Sequence, residues 1–226
     1  MGLRGLVGRL PHLALRFFGS LSPGGPSAVD ELWAESYLVP GEVDLWRRLS
    51  NPDRRHLVKV ARNVVGVLGD DERPVVAAAL LHDVGKLGCG LGTMGRVVAT
   101  LVIAGTSRSR LEAWAGGRGF TGRVGRYFCH PESGAVLLEE AGSDSFTVAW
   151  AREHQNPSGS WSVDAGLAEV LAGADRESGG KPAGQAGSRP MLVLARPTVA
   201  DATWRALPAP TASSRVVSAG SAASSL

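Results

Sequence analysis

Cysteine is nearly missing from this 226-residue chain: Cys89 and Cys129 are the only two, forty residues apart. A disulfide scaffold is therefore excluded, and the lack of any CxxC removes zinc-ribbon and thioredoxin-type readings. Reduced thiols fit a cytoplasmic protein. Aromatic residues are scarce at 6%. Long apolar runs are lacking too. The longest, 97–104, falls far short of the about 20 residues that a membrane-spanning helix needs. Arg9, Pro11 and Arg16 interrupt the first apolar stretch, so it does not read as a signal peptide. No GxxxxGK[ST] or GxSxG occurs, which argues against nucleotide-triphosphate motors and serine hydrolases. GxGxxG occurs at 90–95 and 117–122 but follows no readable strand at either place, which argues against dinucleotide enzymes. No alternating stretch is long enough for a useful strand.

Glycine and proline are by contrast plentiful, at 30 and 13 residues, and they mark the organisation. Residues 178–226 are rich in Gly, Pro, Ser and Ala, with no period that could bury a face. They read as a low-complexity, disordered tail with a short apolar exception at 191–195. A second cluster, Ser22 to Pro26, reads as a linker. The chain thus divides into a leading segment and linker (1–27), a body (28–177) and the tail. Net charge follows the same division. The overall +3 arises from +3 in the first 29 residues and +4 in the tail, leaving the body at −4. Specific nucleic-acid binding by the body is not expected from that balance.

Within residues 3–21, Leu3, Leu6, Val7, Leu10, Leu13, Phe17, Phe18 and Leu21 fall on one side of a helical wheel, opposite Arg4, Arg9, His12 and Arg16. This amphipathic, basic pattern suits a helix packed on the body, with a peripheral membrane or a protein partner as the other readings. The body reads as helical almost throughout, an all-α bundle. Asn51-Pro52 supplies an N-cap and a first-turn proline for a helix carrying Leu57, Val60, Val64 and Leu68 on one face. Residues 75–81 are apolar all round and should be buried, with Gly85 and Gly88 ending that helix. Further helices are expected over 91–104, 132–140, 145–155 and 164–175.

Four of the five histidines lie in the body. His56 borders the apolar stripe of its helix. His82-Asp83 closes the apolar run 75–81. His154 follows Trp150 and Phe146 at helical spacing, and Asp175 follows Leu171 and Leu167 in the same way. His130, with Pro131 behind it, stands at a helix entry. Imidazoles and carboxylates are thus carried on buried sides of separate helices. A buried polar group without a partner costs roughly 2–7 kcal/mol, and a charge costs more. A shared divalent cation would satisfy them together, and imidazole with carboxylate suits Mn, Fe or Zn better than Mg.

These residues carry a family resemblance. His56, then His82-Asp83 within Leu80-Leu81-His82-Asp83-Val84-Gly85-Lys86, then Asp175, resembles the HD superfamily of metal-dependent phosphohydrolases. His130 in His-Pro-Glu-Ser-Gly and His154 in Arg-Glu-His-Gln-Asn-Pro are similar to the additional histidines of HD-GYP-type and related members. The resemblance covers about 50–177. It implies an HD-type helical bundle with two divalent ions: His56, His82, Asp83 and Asp175 around one, and Asp83 bridging to a second held by His130 and His154. It implies hydrolysis of a small phosphorylated substrate, a phosphomonoester or phosphodiester of nucleotide type, with Asp83 and Lys86 in catalytic roles. Lys86, one turn beyond the bridging carboxylate, would neutralise phosphate charge.

Two departures stand out. Gln155 occupies the place of a second adjacent histidine, and the GYP signature is replaced by Asn156-Pro157-Ser158-Gly159-Ser160-Trp161. Specificity for cyclic di-GMP is therefore not implied, and an HD module that binds without turnover, as a sensor or scaffold, is the second reading. Gln155 is also expected to point away from the site, about 100° round the helix from His154. Arg108, Arg110, Arg118, Arg123 and Arg126 against Glu112 make a local +4 that would favour a phosphorylated anion if it lay near the ions.

Overall fold

A computed structural model describes residues 24–178. The readings placed on 3–21 and on the tail, including 191–195, lie outside the described residues. Among these there is no strand, and the chain runs through ten α-helices. They are α1 (Ala28–Glu35), α2 (Pro40–Arg48), α3 (Asn51–Leu68), α4 (Arg73–Leu81), α5 (Thr93–Ala104), α6 (Arg108–Ala115), α7 (Gly119–Phe128), α8 (His130–Glu140), α9 (Ser145–Glu153) and α10 (Ala165–Ser178). A 3₁₀ turn, Val84–Gly88, follows α4. No single helix among the described residues is long and apolar enough to cross a membrane.

The expected helices form, with shifted ends. Ser50, not Asn51, caps α3, its hydroxyl accepting from the Asp53 N–H, while the Asn51 side chain accepts from Arg54 Nη2. Every residue from Val75 to Leu81 is buried, as the all-round apolar pattern requires. Helix α4 nevertheless stops at Leu81, before Gly85 is reached, and His82 is its C-cap. Asp83 then leaves helical geometry at φ −98°, ψ 7°, and opens the 3₁₀ turn. Helix α8 starts at His130 itself, the entry residue that Pro131 suggested, two residues ahead of the expected 132–140 span.

Helices α6 and α7 had no counterpart in the periodicity. Glycines at 119, 122 and 125 make 119–128 look like a loop. Gly119 takes a positive φ of 70°, while Gly122 and Gly125 pack closely: a Cβ on Gly125 would lie 2.4 Å from the Ala115 backbone nitrogen. With α5 they enclose a small core of Leu91, Ala99, Leu111 and Val124. The main core joins α1–α4 and α8–α10 around Trp46, Leu57, Leu80, Leu81, Leu138 and Leu171.

One contact positions the site. The 3₁₀ turn lies directly on the start of α8, and a Cβ on Gly85 would meet the His130 carbonyl oxygen at 1.9 Å and the Gly134 nitrogen at 2.6 Å. Only glycine permits that approach, and it brings Asp83 beside His130.

Candidate metal centre

Three imidazoles share one local device. His82 caps α4, His154 caps α9, and His130 is the first residue of α8. Each Nδ1 lies against the carbonyl three residues earlier: His82 on Ala79 O at 3.0 Å, His130 on Tyr127 O at 2.7 Å, His154 on Ala151 O at 2.8 Å. A carbonyl has no hydrogen to give, so each Nδ1 carries the proton and donates it. In the neutral ring the lone pair is then on Nε2.

These lone pairs converge on one carboxylate. His130 Nε2 lies 3.2 Å and His154 Nε2 3.8 Å from Asp83 Oδ1, and His82 Nε2 lies 3.7 Å from Asp83 Oδ2. Two triplets result, His56–His82–Asp83 and Asp83–His130–His154, each with ligand atoms within 4.8 Å of one another. Asp83 belongs to both. His56 Nε2 meets Asp175 Oδ1 at 2.9 Å, so Asp175 is brought to the first triplet through His56 and lies outside the compact sets.

Electrostatics favours a charged pair at Asp83 and Lys86. Burial alone would raise the Asp83 carboxyl, but the Lys86 ammonium paired with it and the imidazoles around it hold it well below the ordinary range. Burial opposes the charge on Lys86, and Asp83 more than offsets this, raising its pKa. Burial pushes His82 down and, with His82 close by, His154 down to about 3. An ionised carboxylate therefore sits among three imidazoles in a pocket where His82, Asp83 and His130 are each at most 5% exposed. His130 Nε2 is within hydrogen-bonding distance of Asp83 Oδ1, and where a ring nitrogen is unprotonated a divalent cation between it and the carboxylate would be bound by both. The donor set fits such an ion, with the backbone carbonyls orienting the rings from behind.

Behind the site, Asp53 on α3 pairs with Arg96 on α5, and Arg96 Nε also donates to Leu91 O at 3.1 Å. Burial raises the Asp53 carboxyl, but the Arg96 guanidinium, with Lys86 assisting, brings it below its usual value. This pair escaped the sequence reading, although Asp53 stands three residues before His56, on nearly the same face.

Gln155 corrects an expectation. Its amide nitrogen lies 3.3 Å from His130 Nε2, at the second triplet. Helix α9 ends at Glu153, so the 100° rotation per residue no longer holds at 155. Two members of the arginine run have partners within the fold. Arg108 pairs with Glu112, and Arg126 donates to the carbonyls of Gly88, Ala115 and Gly117. A cavity of about 100 Å³ is lined by His82, His154 and Asp175 together with Trp150, Leu171 and the exposed Arg176. No family model, no curated protein and no solved structure matches this chain.

Proposed function

We propose that the protein is a metal-dependent phosphohydrolase of HD type, holding two divalent ions through His56, His82 and Asp83 and through Asp83, His130 and His154. Mn, Fe or Zn suits these ligands better than Mg. The observation that carries this reading is the convergence of three imidazoles of one tautomer on a single ionised carboxylate. Bound ions would supply Lewis acidity toward a phosphoryl oxygen and a lowered pKa for water. The chain's own contributions are orientation and charge. The carbonyls of Ala79, Tyr127 and Ala151 keep Nε2 of each ring aimed inward. Asp175 orients His56. Lys86, paired with Asp83, adds a positive charge to the site. The unpaired thiols Cys89 and Cys129 accord with a cytoplasmic setting.

The second reading, an HD module that does not turn over, draws on Gln155. A neutral amide is a weaker partner for a transition metal than imidazole, and here it occupies the approach to His130. Elemental analysis of protein grown with Mn, Fe or Zn, joined to a screen of phosphomonoesters, phosphodiesters and cyclic dinucleotides, separates the readings. Bound metal with phosphate release that Asp83→Asn abolishes is the expected outcome. Bound metal without turnover favours the sensor or scaffold, and no bound metal overturns both.

A further inference from the structure

We infer that the cavity above the ligand cluster is a receptor for one terminal phosphoryl group, and that Arg176 is the residue that positions it. This rests on the proposed function and narrows it to phosphomonoesters. His82 and His154, one from each triplet, form the floor together with Asp175, so this cavity leads to the centre. Its volume of about 100 Å³ is small, on the scale of a single phosphoryl group. Trp150, on the wall, is 2% exposed and offers no free ring face for stacking.

Charge points the same way. Arg176 is exposed at the rim and makes no ion pair among the described residues. Its guanidinium can meet two phosphoryl oxygens at once, which an ammonium does less well. With divalent ions on the floor and Lys86 at Asp83, the surroundings favour a phosphate dianion over the single charge of a diester. The group attached to the phosphate stays outside and contributes little to recognition. In the reaction, the oxygen of water forms a new bond to phosphorus and the ester P–O bond breaks. The leaving oxygen takes a proton from that water, giving an alcohol and inorganic phosphate.

The test uses the full chain loaded with Mn or Zn, with metal content measured on every sample. Inorganic phosphate is titrated calorimetrically into wild type, Arg176→Ala and Arg176→Lys. Arg176→Ala should keep its metal and weaken phosphate binding about tenfold or more, with Arg176→Lys between. Against p-nitrophenyl phosphate the loss should fall on KM more than on kcat, and wild type should prefer it to bis(p-nitrophenyl) phosphate. Unchanged phosphate binding in Arg176→Ala, or a preference for the diester, overturns the inference while metal binding leaves the proposed function standing. A wild-type chain that takes up no metal overturns both.

Discussion

Asp83 illustrates how one side chain decides several properties. It is the carboxylate shared by both triplets and the partner of a buried ammonium. Asp83→Asn should therefore remove both ions, read as metal content. In the metal-free protein it also strands Lys86, and breaking a buried pair costs about 3–5 kcal/mol. Urea unfolding of Asp83→Asn should show that loss, and Asp83→Asn with Lys86→Met should recover most of it. Equal stability of the two variants would mean that Lys86 reaches water without Asp83. The residues of this site were legible because helical spacing put His56, His82, His154 and Asp175 on inward faces. Gln155 was not, because spacing rules lapse once a helix ends. Arg176 was hidden for another reason: nothing in a sequence says which exposed arginine lines a cavity.

At the scale of elements, the helices were read best where apolar periodicity was strong, as in α3 and α4. They were missed where glycines served helix–helix contact, as in α7. The seat of the 3₁₀ turn on α8 is of the second kind. Gly85→Ala would drive a Cβ into the His130 carbonyl. Overpacking of this sort costs about 1–3 kcal/mol, and the relief available is separation of the turn from α8. Metal affinity should fall with stability, and more strongly at the Asp83–His130–His154 triplet, as titration followed by elemental analysis would show. An unaltered second ion would mean that another contact holds His130. Asp53–Arg96, which ties α3 to α5, is testable by pH. Because the Asp53 carboxyl is held below its unfolded value, its contribution is complete above about pH 4 and is lost as pH falls through the folded pKa. Asp53→Asn should cost on the order of 3 kcal/mol at neutral pH. It should also flatten the acid limb of stability measured by urea unfolding; a limb as steep as wild type would assign the acid loss to other carboxylates.

Across the whole molecule, the ligands tie together segments that are remote in sequence. His56 comes from the middle of α3, His82 and Asp83 from the junction of α4 and the 3₁₀ turn, His130 from the start of α8 and His154 from the end of α9. All of these elements contribute to the main core or bound it. An unfolded chain does not present them together, so an ion that binds the native centre stabilises the entire bundle and not one loop. At a free concentration one hundred times its dissociation constant, one ion adds about 2.7 kcal/mol. For a domain of this size each kilocalorie moves Tm by about 2–4 °C, so a rise of about 5–11 °C is expected per ion. Chelator-treated protein should melt lower by that amount and recover on addition of Mn or Zn, with Mg giving a smaller shift. Asp83→Asn should show no metal-dependent rise. A wild-type Tm indifferent to every divalent ion would mean that the converging lone pairs are accommodated by protonation instead, and the metal reading would fall with it.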